Sequence, residues 1–393
     1  MLYYIKKILT NISFIFHSKQ RNKFSSINSI CVFGDFKRDY IRNDVIIEGL
    51  MSTEVEISIC HTNKKGILRI IDLFIKYGKT QKKQIILVAS SDTSRLLVLL
   101  ISIISRRFII WDAHYSLYDS WINDRKLAKK ISFKGFYYWC WDWVACQTAD
   151  IILLDTYSHI DYFVKEFNID RSKFIRVLVG ANEELLKSGI VNNSDLIEKI
   201  NRDNEGKFIV NFHGKFIPLQ GVEFIMEAAK ILEDEKDIIF NIIGSGQTYN
   251  EVRTLAKKLN LPNVTFFDRV SYDKIPAYLS SSDVSLGIFG ITDKAYRVIA
   301  NKIYESLALG VPVITADTPA SRETFTDGEN VIFCQSGSGK DLALKIKFLR
   351  DNKDIKCKIG KSGYDLFTEI CSVQKIGSTL LKDLQFYYIK KYD

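Results

Sequence analysis

Three stretches of this sequence hold residues whose types and spacing suit the gripping of an anion and a diol. The first, His213-Gly-Lys-Phe-Ile-Pro-Leu-Gln-Gly221, leads from an apolar run into a segment with Val222, Ile225, Ala229 and Leu232 at helical spacing. A glycine turn at the start of a helix lets backbone N–H groups approach a phosphate where the helix dipole favours it. Gly214 would make that turn and Lys215 would add a charge. The second, Ile243-Gly-Ser-Gly-Gln247, places Gly244 and Gly246 at another strand-to-helix junction, a pattern that ordinary β-α turns share.

The third stretch is the most specific: Ala300-Asn-Lys-Ile-Tyr-Glu-Ser-Leu-Ala-Leu-Gly-Val-Pro-Val-Ile-Thr315. Ile303 and Leu307 share one helix face, Gly310 ends the helix, and a strand starts at once. Glu305 then stands one turn into a helix at the mouth of a sheet. There a carboxylate can accept two hydrogen bonds from a ribose diol. Lys302, three residues earlier, can neutralise phosphate. Lys294 and Arg297 lie just upstream.

The N-terminal half offers a thinner set. A glycine turn at Gly34 is followed by Asp35, Lys37, Arg38 and Arg42, which can meet an acceptor phosphate or form a solvated loop. Asp112-Ala-His114 follows the apolar run Phe108–Trp111. Phe133–Val144 reads FKGFYYWCWDWV beside Lys129, Lys130 and Lys134. Interleaved aromatics and cations suit a membrane interface or a lipid acceptor, but a helix core explains them better.

These residues need a frame, and the periodicity supplies one. Short apolar runs are expected as strands at 29–33, 55–60, 85–89, 108–111, 151–154 and 174–179, with helical segments between them. Near Gly180 the pattern lapses. It resumes with strands expected at 208–212, 238–243, 264–267, 284–289, 311–315 and 331–333. Alternating strands and helices mean β-α-β units and parallel sheets. The expected organisation is an N-terminal Rossmann-like domain over 1–180, a linker over 181–206, a second such domain over 207–370 and a C-terminal helix over 371–393 packing back toward the first. Ligands bind beyond the carboxyl ends of such strands, so two facing sheets imply a cleft.

Length agrees: 393 residues exceed what one core usually supports. The net charge of +9 is lopsided, since residues 1–180 hold 27 Lys and Arg against 17 Asp and Glu, and the remainder 28 against 29. A one-sided basic field suits an anionic membrane leaflet or a pyrophosphate; no nucleic-acid partner is expected. The seven cysteines form no C-x-x-C pair, so neither a zinc site nor a disulfide framework is indicated. No apolar run approaches the ~20 residues needed to span a bilayer. Residues 1–26 carry five Lys and Arg and no acid, with Leu2, Ile5, Leu9, Ile12 and Phe16 on one helical face. That pattern is read either as a membrane-surface helix or as a helix packed on its own domain.

The stretch 300–313 resembles retaining glycosyltransferase family 4 (glycosyl transferases group 1), many of whose members carry P-x-K-x-x-E-x-x-A-x-G-x-P-V. Only the leading proline is replaced, by Ala300. The turn Gly214–Gly221, Gly244-Ser-Gly246 and the loop Val264–Val270 resemble the family's phosphate turn, second glycine turn and base-contacting loop. The likeness is strongest over 208–335 and looser in Gly34-Asp-Phe36, Asp124-Arg125 and Val179-Gly-Ala181. Two positions depart from it: Arg297 stands where a first glutamate is commoner, and Gln220-Gly221 where Lys-Gly is usual.

The resemblance implies a GT-B fold. It also implies transfer of a sugar from a nucleoside diphosphate donor, with retention, without a metal and without a cofactor. Donor contacts would come from Gly214, Lys215, Gly244, Gly246, Arg269, Val270, Lys294, Arg297, Lys302 and Glu305. His114, Lys215 and Lys302 would act at the reacting centre, with Gly34, Asp35 and Arg42 on the acceptor. The basic N-terminal half points to a glycan or polyprenyl-linked acceptor at the inner face of the cell membrane, with the protein cytoplasmic and peripheral, in surface polysaccharide assembly. A nucleotide-sugar 2-epimerase of the same fold and a catalytically silent binding protein remain alternatives.

Overall fold

The computed structural model of the protein describes residues 27–80 and 85–392. The basic amphipathic pattern read over residues 1–26 lies outside them. The chain divides into two compact units, Met1–Leu178 with Ile376–Asp393, and Val179–Lys375.

The first unit is a parallel sheet wrapped by helices: β1 (Ser29–Gly34), α1 (Ile41–Met51), β2 (Glu56–His61), α2 (Gly66–Lys79), β3 (Ile85–Val88), α3 (Ser94–Ile104), β4 (Phe108–Asp112), α4 (Phe133–Thr148), β5 (Ile151–Leu154), α5 (Tyr157–Phe167) and β6 (Phe174–Arg176). The sheet order is β2-β1-β3-β4-β5-β6, parallel throughout. All residues of β1, β3, β4 and β5 are buried. Helices on both faces of a parallel sheet require this, which is why the strands read as unbroken apolar runs.

The second unit opens with α6 (Glu183–Asn192) and α7 (Ser194–Asp203). It continues β7 (Phe208–Phe216), α8 (Val222–Ile231), β8 (Ile238–Gly246), α9 (Tyr249–Leu259), β9 (Val264–Phe267), α10 (Ile275–Ser280), β10 (Val284–Leu286), α11 (Asn301–Ala308), β11 (Val313–Ala316), α12 (Pro319–Arg322), β12 (Ile332–Cys334), α13 (Gly339–Asp351) and α14 (Lys353–Leu366). Its order is β12-β11-β10-β7-β8-β9, again parallel. After β9 the chain returns to the far side of β7, so the direction of winding reverses between β7 and β10.

Every strand expected from the sequence is present, with instructive differences. The stretch expected as a linker, 181–206, is mostly helical and belongs to the second unit. Asn182 caps α6 by accepting from the Leu185 N–H, and Asn193 donates to the Asp273 carbonyl. These helices bury only Leu186, Gly189 and Ile200, and one thin apolar stripe leaves a helix reading polar.

β7 and β8 also run past their first glycines. Gly214 pairs with Gly244 and Phe216 with Gly246 in register. Gly244 and Gly246 sit at φ 137° and 156°, where a Cβ would collide with the carbonyls of Gly214 and Phe216. These two glycines therefore serve close strand pairing, and the expected turns lie further on.

The last helix, α15 (Val373–Tyr392), belongs to the first unit from Ile376. Tyr388 packs edge-on against Phe108, with centroids 5.2 Å apart.

Candidate functional site

The residues of the third motif meet at the point in the second unit where the winding reverses. Parallel sheets leave a crevice there beyond the carboxyl ends of the strands. α11 stands over it. Ile303 and Leu307 anchor that helix in the core. Ser306 Oγ lies 2.7 Å from its own helix's Lys302 carbonyl and 2.8 Å from Ser285 Oγ of β10. Gly310, at φ 67°, closes it while the Val311 N–H reaches back to the Ser306 carbonyl at 2.9 Å. The left-handed residue that ends the helix is one that glycine adopts without strain.

Lys302 and Glu305 are both buried, at 5% and 2% exposure. The Lys302 ammonium donates to Gln220 Oε1 at 2.6 Å and to the Gly287 carbonyl at 3.4 Å. It lies 3.5 Å from the centre of the Phe212 ring. A Cβ on Gly214 would come within 3.1 Å of it, so the glycine leaves the room that the ammonium occupies. Burial pushes the Lys302 ammonium well below the usual lysine range, with the Glu305 charge acting in the opposite sense.

Glu305 is held from two sides. Its Oε2 lies 2.7 Å from His213 Nε2, and its Oε1 accepts from the Tyr272 hydroxyl at 3.2 Å. His213 comes from β7 and Tyr272 from the loop after β9. Tyr272→Phe is expected to cost ~0.5–1.5 kcal/mol of ligand affinity at this carboxylate, or roughly 2–10-fold, because it removes one long hydrogen bond, at 3.2 Å, that orients it. Calorimetric titration with the nucleotide that binds best measures this.

Of the residues expected to grip a ligand, Gly214, Lys302 and Glu305 are brought together. Lys215, the next residue along β7, is exposed. Arg269 is exposed and Val270 half-buried in the loop after β9, which also carries Tyr272. Lys294 and Arg297 lie in the loop between β10 and α11, which turns on hydrogen bonds from Ala295 N–H to Thr292 and from Arg297 N–H to Lys294. Gly244 and Gly246 are strand-pairing glycines, not a separate helix-opening turn. The helix-opening glycine is Gly221, at φ 63° before α8, where a Cβ would collide with Phe289 and Gly290. The sequence reading missed Gln220 as the partner of Lys302, and His213 and Tyr272 as the partners of Glu305. His213 stood inside the quoted motif, two residues beyond buried Asn211 on the same strand face; nothing marked Tyr272.

In the first unit, Arg42 was expected on an acceptor, and the structure corrects this. Its guanidinium is fully buried and engages Asp112 at 2.8 and 3.1 Å and the Val177 carbonyl at 2.9 Å. A charge removed from water needs its counter-ion close by, and Asp112 is therefore a structural partner. Asp35 accepts from Ser91 Oγ at 2.8 Å and Thr93 Oγ1 at 2.6 Å, and pairs with Arg69 at 3.0 Å. Gly34, at φ 149°, ends β1 beside it.

His114 takes a left-handed conformation at φ 53°, with Nε2 2.8 Å from the Tyr40 hydroxyl. Burial raises the Tyr40 phenol to about 12, so it stays a hydroxyl. A non-glycine residue at positive φ is uncommon and is held by its surroundings.

The fold and this crevice define a two-unit, doubly wound α/β protein of the GT-B kind. A solved Anabaena protein, Alr3699/HepE in complex with UDP and glucose, superposes with a TM-score of 0.68 over 91% of this chain and 99% of that one, at 14% identity. Residues 193–366 match the family model of glycosyl transferases group 1. That stretch, under half of the chain, is thus similar to the glycosyl transferases of group 1.

Among curated relatives, an uncharacterized glycosyltransferase of Methanocaldococcus jannaschii is 25% identical over 55% of this chain and 60% of its own length. A putative colanic acid biosynthesis glycosyl transferase of Escherichia coli K12 is 35% identical over 29% of this chain and 28% of its own. The chain thus spans less than two thirds of either relative. Among the described residues, no helix is long and apolar enough to cross a membrane.

Proposed function

We propose that this protein is a glycosyltransferase that takes a sugar from a nucleoside diphosphate donor held in its second unit. The observation that carries the reading is the pairing of buried Lys302 and Glu305 on one helix, over the crevice where the winding reverses. An acidic side chain there suits a ribose diol, and a cation one turn nearer the helix start suits the diphosphate. The likeness of residues 193–366 to the glycosyl transferases of group 1 supports the reaction class. The UDP and glucose bound by the Anabaena protein support a nucleoside diphosphate donor, and the names of two relatives, a colanic acid biosynthesis glycosyl transferase of E. coli and a capsular polysaccharide biosynthesis glycosyltransferase of Staphylococcus aureus, support a surface-glycan setting.

Transfer with retention, as in family 4, and without a metal or other cofactor is part of the proposal. Charge developing on the leaving diphosphate would fall to Lys302 and Lys215, with Lys294 and Arg297 as further cations. Preorganised donors of this kind supply much of the barrier reduction in group transfer. The leaving phosphate itself would take the acceptor's proton, so no side-chain base is required. The acceptor would be a glycan or a polyprenyl-linked glycan at the cytoplasmic membrane face.

The test is a thermal-unfolding screen of the full chain against UDP, GDP, ADP and CMP with their common sugars. A ligand at ~100 times its Kd adds ~2.7 kcal/mol to stability, which gives an easily read shift in Tm. One base standing out supports the donor site and names the base. No shift with any of them overturns it and favours a catalytically silent relative.

A further inference from the structure

One surface of the first unit serves neither the core nor the candidate site. α2 has an inward face, where Leu73 is buried and Phe74 and Tyr77 pack on the core. Its other side ought to be polar. Instead Ile67, Leu68, Ile71 and Ile75 stand 68%, 59%, 48% and 54% exposed. Ile67, Ile71 and Ile75 follow one another at i, i+4 and i+8, with Leu68 beside them, so the four form one aliphatic stripe along the helix. A contiguous apolar surface of this kind marks a docking site.

Its rim is basic. Residues 64–79 hold five Lys and Arg against Asp72 alone. Lys65 and Lys79 stand exposed at the two ends of the stripe. The stripe also has company. α2, α3 and α4 are crossovers that advance in one direction across the sheet, and right-handed connections place them on one face. The Tyr77 hydroxyl donates to Ser105 Oγ at 3.0 Å, which ties α2 to the end of α3. Arg95 Nε donates to Asp142 at 2.6 Å, which ties α3 to α4. On that same face, at the entry to α4, Ile131 and Phe133 are each 86% exposed, among Lys129, Lys130 and Lys134.

We propose that the outer face of α2, continued by the entry to α4, is the surface by which this protein docks on an anionic lipid bilayer. The chemistry selects lipid over a protein partner. Protein interfaces favour Tyr, Trp and Arg and are depleted in Lys, whereas aliphatic residues rimmed by lysine are the composition of helices lying in an anionic membrane surface. The aliphatic stripe enters the acyl boundary while the lysine stems extend back to the headgroups. Each lysine adds attraction to acidic lipid that salt screens. This inference is independent of the donor site, because vesicle binding is read without nucleotide.

The experiment is co-sedimentation of the full chain with phosphatidylcholine vesicles, with and without phosphatidylglycerol, alongside light scattering in solution. The wild type is expected to sediment with the acidic vesicles, less so as salt is raised, and only weakly with neutral ones. Ile67→Ser/Ile71→Ser/Ile75→Ser is expected to keep a cooperative unfolding transition and to lose at least ~10-fold in partitioning, since each buried methylene favours the bilayer. Lys65→Glu/Lys79→Glu is expected to lose the preference for acidic vesicles. The proposal is overturned if the wild type stays in the supernatant or if the triple serine variant binds as the wild type does. It is also overturned if the wild type is a dimer that the serines dissolve while vesicles are ignored. That last outcome would assign the face to a second copy of the chain.

Discussion

Glu305→Ala is expected to weaken nucleoside diphosphate binding by about 10²–10³-fold and to suppress transfer by at least as much, because a buried carboxylate loses charge-assisted hydrogen bonds worth ~1.5–3 kcal/mol each. The free protein already shows why this position is sensitive. His213 and Tyr272 hold the two carboxylate oxygens at 2.7 and 3.2 Å, so the group is oriented before any ligand arrives. Affinity then depends little on ordering the side chain at the moment of binding. The alanine also leaves His213 without that acceptor in a buried setting, which costs about 1–3 kcal/mol of stability.

Glu305→Gln separates the two effects. Its amide keeps the volume and one acceptor, so unfolding should stay close to wild type while binding falls roughly 10–10²-fold through loss of the charge. Paired calorimetric titrations and thermal melts measure both. A glutamine variant that binds nucleotide as tightly as wild type would reduce Glu305 to a structural residue.

Lys302→Met is expected to leave the Tm unchanged or raise it, and to lower turnover by about 10²–10³-fold, the loss typical of one preorganised donor to developing charge. Methionine matches the lysine stem and drops an ammonium that is buried over Phe212. Replacing buried charge by an apolar side chain of similar volume is often neutral or stabilising.

The pH dependence has a definite sign. Burial lowers the Lys302 pKa in the folded protein below its value of 10.5 in the free residue. Between those two values the unfolded chain holds a proton that the folded chain does not, so stability rises with pH across that window. Below both values the cost of charging the buried group is fully present. Lys302→Met should flatten that slope, as melts over a pH series will read. A bound diphosphate should restore the charged form. Nucleotide binding within the window is then expected to take up a proton, seen as a dependence of the binding enthalpy on the ionisation enthalpy of the buffer. The methionine variant should lack that dependence.

Much of this was legible in the residues. The twelve strands stood out because a parallel sheet covered on both faces leaves continuous apolar runs. Gly310 after Leu307 and Ile303 marked the end of α11, because inward spacing and a left-handed glycine are local properties of a helix terminus. The pairing of Lys302 with Glu305 followed from helical spacing alone. The stretch 181–206 was harder to read, because helices that bury only three residues leave little hydrophobic period. Gly244 and Gly246 looked like a second glycine turn at a strand-to-helix junction, because a glycine that admits a neighbouring strand and a glycine that makes a turn are the same letter.

The sequence by itself determined the class of fold, the place of the candidate site in the second unit and the two charged residues at its centre. All three depend on periodicity and short-range spacing, which the chain carries locally. Only the tertiary structure decided what those charges touch. Gln220 against Lys302 lies 82 residues away, His213 against Glu305 lies 92, and Arg42 against Asp112 lies 70. Contacts across such separations are set by the order in which strands enter the sheet. That order turned Arg42 from a candidate ligand contact into an internal counter-ion, and left the stripe of α2 facing outward.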